Sequence, residues 1–218
     1  MKKQQVDTRR LIVMALFCAM AFTATAVFRI PVVLWLKFDP KDCLLAIGGM
    51  LYGPVAALMM SAVVSLVEMF TISDTGWIGF IMNVLSSALF ILPSAILYRR
   101  RRALPSAILG LVIGVLLTTA GMLLWNWLIT PLYMHIPREQ IEPLLFTAFL
   151  PFNLFKTSLN AVLTVLLYKS VVSALRAAHL IPKAETPARR GISLGVVLGG
   201  LFCLVTLLLI LLAWRGVL

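Results

Sequence analysis

Asn153, Lys156 and Asn160 are spaced three and four residues apart inside the apolar run LPFNLFKTSLNAVLTVLLYK, residues 150–169. On a helix that spacing puts all three on one face, with Thr157 and Thr164 beside them. A lysine at the middle of a membrane helix costs about 2.5 to 3.5 kcal/mol even on lenient insertion scales. Two readings of the trio are open. In one, the asparagines join neighbouring helices and the lysine stretches along its stem to headgroup water. In the other, two amides and a cation line a pocket and exchange hydrogen bonds with a small molecule.

Further polar residues collect toward the same end. Asn126 lies between Trp125 and Trp127 in LLWNWLITPLY, Asn83 lies in WIGFIMNVLSSA, and Lys37, Asp39 and Asp42 crowd KFDPKD. Trp127 and Tyr133, taken singly, read more readily as interfacial aromatics. Glu68, with Lys156 one of the two ionisable candidates inside apolar runs, lies near the outer end of its run and reads first as a group that reaches headgroup water, with a functional role as the other reading. Amides, one cation and apolar walls suit a flat heteroaromatic with carbonyl and imide edges better than an inorganic ion.

The motifs of other chemistries are missing. The chain has no HExxH, GxSxG or GxxxxGK[ST], and no pair of aspartates on separate apolar helices. Cys18, Cys43 and Cys203 stand apart without CxxC or CxxH spacing, and His135 and His179 fall in loops or at helix ends. The expectation is a protein that is not an enzyme and carries no cofactor or metal.

These side chains must be positioned by membrane helices. The 218 residues are 61% hydrophobic and 12% charged, with mean hydropathy +1.03, and several runs of about 20 apolar residues can cross a hydrocarbon layer. The reading is an all-α integral membrane protein with helices at 9–29, 43–52, 54–71, 77–98, 104–130 and 145–175. A seventh helix at 192–214 follows a polar linker, so that 1–180 form a six-helix membrane domain, 181–191 the linker and 192–218 the extra C-terminal transmembrane segment. Gly53-Pro54 divides the second apolar stretch, because proline starts helices and disfavours helix in the residue before it. An alternative takes the first helix as a signal peptide cleaved after Ala24-Thr25-Ala26; its apolar run is long for that role.

The net charge of +11 sits at helix ends. Lys2, Lys3, Arg9 and Arg10 precede the first helix, Arg99 to Arg102 follow the fourth, and Lys169, Arg176, Lys183, Arg189 and Arg190 close the sixth. All three clusters fall on one side only if the chain breaks at Gly53-Pro54, and the positive-inside rule makes that side cytoplasmic. The expected placement is a multi-pass protein of the cell membrane with its N-terminus inside, its C-terminus outside, and loops 30–42, 72–76 and 133–143 facing outward. Basic residues so placed meet lipid headgroups; no basic stripe interleaved with aromatics suggests nucleic acid. Ala15 and Ala19, four apart, share a face that lets another helix approach closely, although such alanine pairs are common in apolar helices.

The runs KFDPKDCLLAIGGMLYGPVAAL, SDTGWIGFIMNVLSSALFILPSAILYRRRR, LLWNWLITPLYM and LPFNLFKTSLNAVLTVLLYK resemble the riboflavin-binding S components of energy-coupling factor (ECF) transporters. The likeness covers about residues 10 to 180, through the Gly53-Pro54 break, the Thr75-Gly76 pair and FNLFK. It implies a six-helix protein that captures a vitamin from outside and passes it to a transmembrane coupling subunit driven by two cytoplasmic ATPases. It implies flavin contacts at Asn126, Asn153 and Lys156, a covering loop from Lys37 to Asp42, and coupling-subunit contacts at Ala15 and Ala19. Asn83 and Asn160 join the candidate ligand set on their placement alone. The chain departs from the pattern in reading Gly79-Phe80-Ile81 where some members carry an acid, making that wall more apolar, and in its seventh helix. A different vitamin or heteroaromatic as cargo, and a membrane scaffold without ligand, are the alternatives.

Overall fold

A computed structural model describes residues 8–34, 36–181, 198–203 and 205–206. The chain divides into two compact units, Met1–Ala161 and Val162–Leu218. In the first lie α1 (Thr8–Val27), a hairpin of β1 (Ile30–Val33) and β2 (Leu36–Phe38), α2 (Lys41–Tyr52), α3 (Pro54–Thr71), α4 (Gly76–Arg101), α5 (Leu104–Leu128) and the short α6 (Thr130–Met134) and α7 (Arg138–Leu144). A π-helical turn, Leu145–Phe149, leads into α8, Leu150–Ala177, which continues into the second unit. Residues 198–203 and 205–206 are helical. The rest of the expected seventh helix, and the linker from residue 182, lie outside the described residues.

Among the described residues, five apolar stretches are long enough to cross a membrane: α1, α3, α4, α5 and the run containing α8. Their apolar side chains divide between the inside of the bundle and its surface. On α1, Val13, Phe17 and Ala21 are buried while Leu11, Ile12 and Leu16 are exposed, a distribution that lipid tolerates and water does not. At 1.5 Å per residue, the 12 residues of α2 run only about 18 Å, short of the roughly 30 Å hydrocarbon core. Its N-terminus consequently meets α3 at Glu68, about one turn inside that helix's end.

The break between α2 and α3 is backbone-enforced. Gly53 has φ +93°, in the region a Cβ disfavours, and Pro54 supplies the preset φ of a first helical residue. Arg10 donates to the Tyr52 carbonyl at 3.2 Å and lies over the Tyr52 ring, while the Arg99 side chain packs against Gly53. The start of α1, the α2–α3 junction and the end of α4 therefore share one end of the bundle, the arrangement that the charge pattern requires.

α4 and α5 pack most closely. A Cβ on Gly110 would strike the backbone at Ser94 and Pro93, and one on Gly114 would strike the Phe90 carbonyl; only glycine permits backbones this near. Pro93 lies within α4, where it removes one helical donor.

Two expectations change. The loop at 30–42 contains an antiparallel hairpin pairing Ile30 with Phe38 and Val33 with Leu36, and the loop at 133–143 is largely helical.

Candidate functional site

Four residues leading into α2, Asp39-Pro40-Lys41-Asp42, bind three helices. Asp39 Oδ2 accepts from Lys156 Nζ of α8 at 2.8 Å, Lys41 Nζ donates to Glu68 Oε2 of α3 at 2.5 Å, and Ser87 of α4 donates to Asp42 Oδ1 at 2.5 Å. Asn160 holds the same segment through its backbone: its Oδ1 accepts from the Cys43 amide, and its Nδ2 donates to the Asp39 and Lys156 carbonyls, all at 3.1 Å. The hairpin delivers this segment, and Phe38 at its end packs edge-on to Phe155 of α8.

Above this knot opens a cavity. The volume open to the centres of water molecules is about 140 Å³, well above the roughly 10 to 15 Å³ that one water needs. Asn126, Tyr133, Phe152, Asn153 and Lys156 line it from α5, α6 and α8; Thr25, Glu68, Met82, Asn83 and Ser86 line it from α1, α3 and α4; and Arg29, Lys37, Asp39 and Lys41 come from the hairpin and its flanks. Apolar side chains such as Met82, Met122 and Phe152 alternate with amides and charges. This suits a molecule with flat apolar faces and polar edges.

The amides are fixed by local bonds. Asn126 Nδ2 donates to the Met122 carbonyl at 2.7 Å while its Oδ1 accepts from Thr130 at 2.9 Å. Asn153 Nδ2 donates to the Phe149 carbonyl at 2.8 Å. Each primary amide retains a second N–H. These bonds fix the orientation of both amides, which lowers the cost of ordering them around a ligand.

Burial pushes the Asp39 carboxyl up, but Lys156, Lys41 and Arg29 nearby outweigh it and hold the group below the usual carboxylate range. Asp39 thus stays ionised at pH values where a free aspartate begins to protonate.

Six of the residues singled out from sequence, Lys37, Asp39, Asn83, Asn126, Asn153 and Lys156, line this cavity. Asp42 and Asn160 do not: they fasten the start of α2 from behind it. Glu68 does not reach headgroup water; it is 3% exposed and paired with Lys41, itself 2% exposed. Burial among partners has replaced snorkelling because the short α2 ends opposite Glu68. On α4 the cavity wall is Met82, Asn83 and Ser86 rather than Gly79 to Ile81. Thr25, Arg29 and Lys41 also line the cavity but were not singled out as site residues in the sequence; Lys41 stands within KFDPKD, and alternation of sign there was the available signal. Ala15 and Ala19 lie exposed on α1, on the surface beside Ile12 and Leu16.

The profile of the family "ECF transporter, substrate-specific component" matches residues 9–168. The riboflavin transporter RibU of Staphylococcus aureus (strain TCH60) is 27% identical over 184 residues, covering 80% of this chain and 96% of that protein. The riboflavin transporter FmnP of Bacillus subtilis (strain 168) is 26% identical over 158 residues, covering 67% and 83%. A solved structure described as the S component of a bacterial ECF transporter superposes with a TM-score of 0.66 at 26% identity, covering 78% of this chain and 99% of that one.

Proposed function

This chain belongs to the family of substrate-specific components of ECF transporters, and on that footing we propose that it captures riboflavin, or a close flavin, from outside the cell. The observation that carries the reading is the convergence of Asn126, Asn153, Lys156, Lys37, Asp39 and Lys41 on one cavity. Amide N–H and C=O groups match the imide and carbonyl edges of a flavin ring, and apolar side chains match its faces. The names of the two similar transporters support the same cargo.

The chain acts by binding. Delivery falls to a transmembrane coupling subunit and two cytoplasmic ATPases, and the exposed Ala15–Ala19 face of α1 is where the coupling subunit docks, since small side chains let helices approach closely. The N-terminus lies in the cytoplasm, so the cavity opens outward at the opposite end. Titrating the purified protein into riboflavin without ATP tests the cargo: fluorescence quenching that saturates is expected. Folded protein that leaves the fluorescence unchanged would remove the flavin assignment.

A further inference from the structure

The Lys41–Glu68 pair has a second feature besides its burial. Glu68 Oε2 receives both Lys41 Nζ at 2.5 Å and Asn83 Nδ2 at 3.2 Å. Glu68 Oε1, equally buried, has no partner among the described residues, although the side chain lines the cavity. Buried acceptors are nearly always satisfied, and leaving one unmade is costly. Asp39 repeats the pattern: Oδ2 is held by Lys156, and Oδ1 has no partner among the described residues. In both carboxylates a lysine fixes one oxygen and the other is left to accept.

The surroundings indicate what Glu68 accepts. From α1, α4 and the link between α3 and α4, the cavity takes the hydroxyls of Thr25, Ser73, Thr75 and Ser86. From α5, α6 and α8 it takes the amides Asn126 and Asn153 with the rings of Tyr133 and Phe152. Amides and rings suit the flat, imide-edged part of a ligand. Hydroxyls beside a carboxylate oxygen suit a chain of alcohols, each able to donate and accept.

We propose that Glu68 determines specificity by accepting a hydrogen bond from a hydroxyl of the ligand's polyol chain, with the flat ring system held toward α5 and α8. This rests on the flavin reading and deepens it. Lys41 and Asn83 hold the carboxylate still, so its acceptor is pre-organised. A ligand lacking the polyol chain leaves Glu68 Oε1 unpaired and is discriminated against for that reason.

The test compares riboflavin with lumiflavin, which has the same ring system and a methyl group in place of the polyol chain, both read by fluorescence quenching. Replacing Glu68 alone would strand the buried Lys41 charge, so the variant is the pair Lys41→Met with Glu68→Met. Wild type should favour riboflavin by about tenfold or more, the effect of one or two hydrogen bonds to a charged group. The double variant should lose most of that preference, read as the ratio of the riboflavin and lumiflavin affinities of the same protein. Lys41→Met with Glu68→Gln, which keeps an amide oxygen as acceptor, should recover part of it. A double variant that keeps the full preference, or that loses both flavins equally, overturns the proposal. Wild-type protein that binds neither flavin overturns the flavin reading itself.

Discussion

At the level of single residues, the site separates groups that face the cavity from groups that build it. Lys156 does both, closing on Asp39 while lining the cavity. Lys156→Ala should weaken riboflavin binding by about 1 to 3 kcal/mol, the range for losing a charge-assisted or buried partner; an unchanged affinity by titration would leave Lys156 a structural ion-pair member. Asn160 makes three hydrogen bonds to backbone. Asn160→Ala should therefore lower the stability of the ligand-free protein by about 1 to 3 kcal/mol, seen as an earlier thermal unfolding transition. The shared face of Asn153, Lys156 and Asn160 was legible because helical spacing alone fixes it. Their division of labour was not: it depends on Asp39 and Cys43, more than a hundred residues earlier. Glu68 was misread for the same reason, since its partner Lys41 reaches it only by way of two helices and the turn at Gly53.

At the level of elements, long apolar runs announced the helices, and the bounds of α3 and the start of α5 agree with the expectation. Gly53-Pro54 was readable because both residues act locally on the backbone. The hairpin was not: IPVV and LKF are only four and three residues long, and what pairs them is the ladder between them rather than any strong alternation in either. Helices α6 and α7 were hidden by Pro131, Pro137 and Pro143, which look like loop residues, although two of them sit at a helix start or just before one. The α4–α5 contact leads to a prediction. Gly114→Leu drives side-chain atoms into the Phe90 carbonyl and should destabilise the protein by about 1 to 3 kcal/mol or more, measured as a lower unfolding temperature in detergent; unaltered unfolding would show that the two helices can separate freely.

At the level of the whole molecule, two of the three basic clusters lie together as charge placement implied: Arg10 and Arg99 converge on the α2–α3 junction. The family was legible from four quoted runs, and the profile match over residues 9–168 shows it. On the proposed reading docking and capture occupy different surfaces, with Ala15 and Ala19 exposed on α1 and the cavity lined by other residues. Replacing both alanines with tryptophan should abolish riboflavin uptake by cells while leaving binding to the purified protein within about twofold, because neither position lines the cavity; loss of both activities together would place these residues in the fold instead. The central claim is that this cavity holds a flavin, and the visible absorption spectrum of the purified protein tests it most directly. Flavin absorbance should co-purify with the wild-type chain, or be acquired on adding riboflavin, and should be diminished in an Asn153→Ala, Lys156→Ala double variant. A folded wild-type protein that stays colourless after riboflavin is added and the free vitamin removed would contradict it.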